Sequence, residues 1–262
     1  MDFSLLKKTA FVCGSTQGIG KAIALELATI GASVVLLGRN ASKLNSVLNE
    51  LDNSQGQEHH FIKADFSFPN ELKVKVEEYM EEHEAVHILV NNMGGPASGP
   101  ALSATSKNYT DAFAKHLICN HVMVQELSEG MKAAKYGRII NIISTSVKEP
   151  IQGLGVSNTI RGAVASWSKT LSKELGPFGI TVNNVLPGFT KTDRLNELLE
   201  NKAKKTGKTT EEVITESKAL IPLGRFAEPE EIANAVAFLA SPAAAYINGI
   251  NVPVDGGRLS SL

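Results

Sequence analysis

The chain has 262 residues, with 26 Lys and Arg against 27 Asp and Glu, a formal charge of −1. That balance excludes a protein that finds nucleic acid or an acidic membrane by bulk electrostatics, so neither is expected as a partner. The length and the 43% hydrophobic content suit a globular α/β protein folding as a single domain, residues 1–262, around one extended sheet.

The first eight residues have no apolar run long enough for a signal peptide, and no later stretch is long enough to span a bilayer, so a cytoplasmic protein is expected. Thr9-Ala10-Phe11-Val12-Cys13 is a short β-rich run that feeds directly into Gly14-Ser15-Thr16-Gln17-Gly18-Ile19-Gly20. Helical periodicity follows through Ala22, Ile23, Leu25 and Ile30. Gly31 is placed to end the helix, and residues 33–37 read as the next strand. The glycines have physical reasons in such a βαβ unit. Gly14 lets the chain leave the strand, Gly18 lets backbone N–H groups approach a pyrophosphate, and Gly20 lets helix and strand pack closely. The helix then points its unsatisfied N–H groups at the phosphates.

At the tip of the second strand a carboxylate would bond the adenosine ribose and repel a 2′-phosphate. Here Gly38-Arg39-Asn40 stands instead, and a guanidinium suits a 2′-phosphate, favouring NADP(H) over NAD(H). Residues 41–52 form an amphipathic helix, and residues 59–64 a third strand running into Asp65. That carboxylate either accepts from an adenine amino group or caps the helix that starts at Pro69. Residues 86–90 are almost wholly apolar, as in a central parallel strand, and lead into Asn91-Asn92-Met93-Gly94. Two helical segments are expected over about 101–115 and 116–135. A fifth strand over 137–143 carries Ser144 at its carboxyl end, where open α/β sheets place their chemistry. A helix over 157–175, a strand over 179–185, a helix over 228–240 and a strand over 250–252 complete the pattern. Residues 195–219, rich in Lys, Glu and Thr, read as a solvated helical excursion over the cleft. Cys13 and Cys119 fall in predicted buried elements and read as reduced core residues.

The set Gly14-x-x-x-Gly18-x-Gly20, Asp65, Asn91-Asn92-x-Gly94, Gly137-Arg138-Ile139 with Ser144, Pro187-Gly188-x-x-x-Thr192, Pro222-Leu223-Gly224-Arg225 and Val254-Asp255-Gly256-Gly257 resembles the short-chain dehydrogenase/reductase family. It is most similar to the β-ketoacyl-carrier-protein reductase branch, and the resemblance covers nearly the whole chain. It implies a Rossmann-type, doubly wound, seven-stranded parallel sheet that binds a nicotinamide dinucleotide, and a homotetramer or homodimer. The residues it assigns to the cofactor are those of the glycine turn (Gly14, Ser15, Thr16, Gln17, Gly18, Ile19, Gly20), with Arg39 and Asp65 toward the adenosine. Asn91, Gly94, Arg161, Pro187, Gly188 and Thr192 follow, Thr192 holding the carboxamide.

The family's catalytic set is an Asn, a Ser, a Tyr that moves the proton on the substrate oxygen, and a Lys that lowers the phenol pKa and holds the ribose. Aligned from Gly137-Arg138-Ile139 forward and from Pro187-Gly188 backward, Ser157 stands at the Tyr position and Arg161 at the Lys position. His116 stands at the Asn position, and only Ser144 remains of the four. A serine is too short and too weak an acid to replace a phenol, and an arginine cannot pass a proton. Arg161 can still bond ribose hydroxyls and stabilise charge on a substrate oxygen. His116 is expected either to titrate near neutrality as a proton source or simply to pack within its helix. His116 and His121 lie five apart, a poor metal pair, and no metal is assigned.

Three functions are compatible with this pattern. The first is an NADP(H)-dependent oxidoreductase on a small carbonyl/alcohol pair, with Ser144 orienting the oxygen, Arg161 stabilising its charge, and the proton supplied by water, His116 or the substrate. The second is a catalytically silent member that binds the dinucleotide as a sensor or structural subunit. The third uses the cleft for dehydration or isomerisation.

Overall fold

The computed structural model describes residues 2–83 and 85–261. The first strand, β1 (Thr9–Cys13), is followed by α1 (Gly18–Thr29), β2 (Ser33–Gly38), α2 (Ala41–Leu48), β3 (His60–Lys63), α3 (Pro69–Glu82) and β4 (Ile88–Asn91). The second half adds α4 (Ser106–Phe113), α5 (Cys119–Ala133), β5 (Gly137–Ile142), α6 (Gly155–Leu175) and β6 (Ile180–Pro187). It closes with α7 (Asp193–Thr206), α8 (Thr210–Ala219), α9 (Pro229–Ala240) and β7 (Asn251–Val254). The strands form one seven-stranded sheet in the order β3-β2-β1-β4-β5-β6-β7, every neighbouring pair parallel. This is the doubly wound fold expected from the alternation of strand and helix patterns.

The order reverses between β1 and β4. Connections leave for opposite faces there, and a crevice opens beyond the carboxyl ends of the two strands. Alternation along each strand fills the faces separately. Ala10 and Val12 of β1 join Ile23 and Leu27 of α1 and Val236 of α9 on one side. Phe11 and Cys13 join Leu72 of α3 and Met123 and Leu127 of α5 on the other. Burying each such large apolar side chain stabilises the fold by ~1.5–3 kcal/mol. Cys13 and Cys119 are both buried thiols without a bridge, and burial raises the pKa of both.

Between the central strands runs a buried polar ladder. Asn91 Nδ2 donates to Asn141 Oδ1 at 2.9 Å, and Asn141 Nδ2 donates to Asn184 Oδ1 at 3.0 Å. Asn184 Nδ2 donates to Asn251 Oδ1 at 2.8 Å. It ties β4, β5, β6 and β7 together at one register level, from the carboxyl end of β4 to the first residue of β7.

Several boundaries differ from the sequence reading for local reasons. α2 stops at Leu48 because Glu50 and Leu51 turn back to bond the carbonyls of Val47 and Leu48. α4 begins at Ser106, five residues later than expected. Thr105 and Asn108 form a reciprocal capping box that fixes its start. Between α4 and α5 the chain makes a π-helical turn over Ala114–Ile118. The excursion over 195–219 is not merely solvated. α7 and α8 bury Leu195, Leu199, Ala203 and Val213 against Ile221 and Phe226 in a small core of their own.

Candidate active site

The glycine turn takes the shape its spacing predicts. Gly14 has φ 62° and Gly18 φ 54°, values that L side chains avoid. A β-carbon at Gly14 would lie 2.1 Å from the Asn92 carbonyl oxygen, and one at Gly20 would lie 2.1 Å from the carbonyl oxygen of Gly14. Gly20 therefore works as a support under the turn. The N-cap of α1, Gln17, makes no side-chain cap bond, and the first turn of the helix has no acidic residue. The orphan N–H groups and the positive end of the helix dipole are thus open to an anion. This is a fit for a dinucleotide pyrophosphate.

A cleft of about 540 Å³ runs from this turn across the ends of β1, β4, β5 and β6, a size ordinary for a cofactor and small-molecule site. Of the residues assigned to the cofactor, Gly14, Thr16, Gln17, Gly18, Ile19, Arg39, Gly94, Arg161, Pro187, Gly188 and Thr192 line it. Arg39 is exposed at the end of β2 and makes no salt bridge among the described residues. Thr192 Oγ1 caps α7 by accepting from Leu195 N at 3.2 Å.

Four assigned residues sit elsewhere. The Ser15 hydroxyl is fully buried and donates to the Leu37 carbonyl at 3.4 Å, tying the turn to β2. Gly20 lies beneath the turn. The Asn91 side chain points into the polar ladder, and it is Asn92 that reaches the cleft, donating to the Gly14 carbonyl at 3.2 Å. Asp65 does not cap α3, whose N-cap is Phe68; its Oδ1 accepts from Ser67 N at 2.9 Å. Burial would raise the Asp65 carboxyl, but the Ser67 bonds together with Arg39 and Lys115 hold it below its usual value.

At the other end, Ser144, Ser157 and Arg161 line the same cleft. Ser144 Oγ accepts from Ser146 N at 3.1 Å, which fixes the side chain at the end of β5 and leaves its proton available to donate. Arg161, only 8% exposed, donates from Nη1 to the Ile142 carbonyl at 2.7 Å and from Nη2 to the Met93 carbonyl at 3.2 Å. It clamps the ends of β4 and β5, and burial lowers its pKa to about 10. It stays charged at neutral pH.

Of the two readings of His116, a titrating group in the cleft or a packed helix residue, the structure matches the second. His116 lies in the π-helical turn, 2% exposed, and faces a separate cavity on the far side of the 94–100 loop. Burial, then the charges of Arg161 and Lys115, push its pKa down to about 2. It is a neutral imidazole at physiological pH and supplies no imidazolium.

No tyrosine lines the cleft among the described residues. Tyr79 stacks on His83 at 3.9 Å, Tyr109 packs between α4 and α6, and Tyr136 donates to the Ala240 carbonyl at 2.6 Å. Tyr246 is fully exposed. Three basic residues that the sequence reading missed do line the cleft: Lys115, Arg194 and Arg258. Lys115 immediately precedes the position aligned to the family's Asn, which was the available signal. Arg194 and Arg258 lie outside every recognised motif.

Comparison with known proteins agrees with this geometry. Residues 14–258 match the family model described as enoyl-(acyl carrier protein) reductase. The chain is 32% identical to the NADPH-dependent reductase BacG of Bacillus subtilis, over 98% of this chain and 99% of that protein. It is also 32% identical to the 3-oxoacyl-[acyl-carrier-protein] reductase FabG of Aquifex aeolicus, with the same shares covered. The crystal structure of L-sorbose reductase from Gluconobacter frateurii, complexed with NADPH and L-sorbose, superposes with a TM-score of 0.93 at 29% identity, over 100% of both chains. A glycine-lined cleft at the reversal point of a seven-stranded parallel sheet, and likeness of this extent to these reductases, show that the chain belongs to the short-chain dehydrogenase/reductase family, in its 3-oxoacyl-carrier-protein-reductase-like branch.

Proposed function

We propose that the chain is an NADP(H)-dependent oxidoreductase that interconverts a small carbonyl compound and its alcohol through an altered proton-delivery site. The observation that carries this reading is a single cleft with an anion-ready glycine turn and, at the same end, Arg39 without a salt bridge among the described residues, and with Ser144, Ser157 and Arg161 at the other end. Relatives described as NADPH-dependent support the cofactor. The nicotinamide, when bound, supplies the hydride.

The protein's own part is to bind, orient and polarise. Arg39 meets the 2′-phosphate, and the amino end of α1 meets the pyrophosphate. Ser144 donates to the substrate oxygen and fixes its direction. Arg161 contributes a fixed positive charge beneath that oxygen, in a site whose low polarisability strengthens the attraction. Ser157 presents a small hydroxyl where a phenol would stand, leaving room for water to reach the oxygen and deliver the proton. Losing a side-chain general acid costs about 10²–10⁴-fold in rate, so slow turnover is the expected signature. We take the whole chain as one cofactor-binding domain in which the excursion at about 190–220 covers the substrate, acting in the cytoplasm as a homodimer or homotetramer. Among the described residues no helix is long and apolar enough to cross a membrane.

The test is fluorescence titration with NADPH and NADH, followed by NADPH oxidation on a panel of β-ketoacyl thioesters, ketones and oxo acids. Tight NADPH binding with slow turnover supports the proposal. A second reading, a silent dinucleotide-binding member, is favoured by one observation: Arg161 is already engaged by two backbone carbonyls. Tight NADPH binding with no oxidation on any substrate selects it.

A further inference from the structure

The carboxyl-terminal segment folds back over the end of β5. The backbone N–H groups of Ser260 and Ser261 both donate to Glu149 Oε1 at 2.9 Å. Asp255 turns inward, its two carboxylate oxygens accepting from Gly257 N and Leu259 N. This stapling carries Arg258 into the cleft. Its guanidinium lies over the Phe189 ring at 4.8 Å and reaches Thr145 Oγ1 at 3.5 Å. Thr145 is the immediate neighbour of Ser144, and adjacent Cα atoms stand about 3.8 Å apart. Arg258 and Ser144 thus line one cleft, with the guanidinium reaching the residue next to Ser144.

Among the described residues Arg258 has no carboxylate partner. Asp255 is committed to its own turn and Glu149 to the tail, and Asp193, which also lines the cleft, accepts from Gln17 Nε2 at 3.4 Å and makes no salt bridge with Arg258 among the described residues. The other arginine at this end, Arg194, is already used. It donates to the Pro96 carbonyl at 2.8 Å and pairs with Glu197 at 3.4 Å. Apolar side chains, Leu154, Phe189 and Leu198 among them, make up much of the surrounding wall. A partly buried guanidinium in such a wall loses hydration when substrate closes over it, unless the substrate brings a negative charge.

We infer that the substrate is a small oxo acid, whose carboxylate pairs with Arg258 while its carbonyl is held at Ser144. One unpaired planar fork matches a monoanionic carboxylate in charge and shape. A phosphate dianion would bring more charge than this one guanidinium matches, Arg194 and Arg161 being engaged by backbone carbonyls, and a neutral acyl thioester would bury the guanidinium unpaired. The assignment rests on the carbonyl-reductase reading above and names its substrate class.

The experiment compares kcat/KM for a 3-oxo acid, its methyl ester and its N-acetylcysteamine thioester, in wild type, Arg258→Ala and Arg258→Lys. Ratios within one preparation cancel differences in folded fraction. Wild type is expected to favour the acid over both neutral forms by at least ~10-fold, the free-energy scale of one charge-assisted pair. Arg258→Ala should bring the ratio near unity, mainly through KM, and Arg258→Lys should restore part of it. Wild-type preference for the ester or thioester, or an acid-to-ester ratio unmoved by Arg258→Ala, overturns the assignment. Calorimetry on the NADPH-loaded protein gives a readout independent of turnover. Cyclohexanecarboxylate should bind at least ~10-fold more tightly than cyclohexanecarboxamide, and Arg258→Ala should remove the difference. Equal binding of the two overturns the carboxylate site. Tighter carboxylate binding without NADPH oxidation on any substrate upholds the site and refutes the reductase reading.

Discussion

Arg161 and Ile142 are joined by a 2.7 Å bond from the guanidinium Nη1 to the strand carbonyl, and this bond fixes the cation two residues from Ser144. On the proposed reading, the family's lysine position is filled by a group that holds charge but cannot relay a proton. Paired replacement tests the consequence. Ser157→Tyr with Arg161→Lys should raise NADPH-dependent carbonyl reduction by about 10²–10⁴-fold, the usual worth of a positioned general acid. An unchanged rate in a folded double variant would show that proton delivery is not the deficit.

Removing the clamp alone has the opposite effect. Arg161→Ala leaves the carbonyls of Met93 and Ile142 without their donor, each charge-assisted bond being worth ~1.5–3 kcal/mol. The expected result is a lower melting temperature, weaker NADPH binding and lower turnover, read by thermal unfolding, fluorescence and steady-state kinetics.

The His116 ring makes stability depend on pH. Its pKa is about 2 in the fold against an ordinary 6.5, so the unfolded chain takes up the proton first as pH falls. The contribution is full above pH 6.5 and declines below it by about 1.4 kcal/mol per pH unit, reaching a loss of about 2 kcal/mol at pH 5. Burial also lowers His87, to about 4, and it contributes in parallel. His116→Asn should remove only the first share. Urea unfolding at pH 7.5 and 5.0 should show a loss smaller by about 2 kcal/mol in the variant.

On the proposed reading, cofactor choice rests on Arg39. Arg39→Asp should weaken NADPH about 10–100-fold, as expected for loss of a charge-assisted pair with phosphate. NADH should be affected little or favoured. Fluorescence titration with both nucleotides gives the ratio directly.

Two glycines should respond in opposite directions. Gly20→Ala drives a methyl group to 2.1 Å from the Gly14 carbonyl oxygen, so stability should fall by about 1–3 kcal/mol and NADPH affinity with it. Gly162 lies inside α6, and a β-carbon added there would meet nothing within 4 Å. Gly162→Ala should therefore stabilise by about 0.5–1 kcal/mol. Chemical denaturation of both variants checks the pair.

The sheet was legible because its strands carry short apolar runs, as in Val34 to Leu37 or Ile88 to Val90, each followed by a turn signal. The cofactor end was legible for a related reason: Gly14, Gly18 and Gly20 are demanded by backbone geometry, and that demand is local in sequence. The depth of a side chain is not local. Nothing adjacent to Asn91 distinguishes it from Asn92, yet one joins a buried ladder and the other reaches the cleft. His116 lost its charge to burial and to Arg161, forty-five positions away in the chain. Arg258 enters the cleft only because Glu149 and Asp255 fold the tail around it, a constraint spread over more than a hundred residues.

The small core shared by α7 and α8 gives this helical excursion a cohesion separate from the two cores on the sheet. If that segment covers the substrate as proposed, residues that choose the substrate can drift, or be exchanged as a block with those of a relative, while nucleotide capture is inherited unchanged. Diversification within such a lineage can proceed by replacing the roof and keeping the floor.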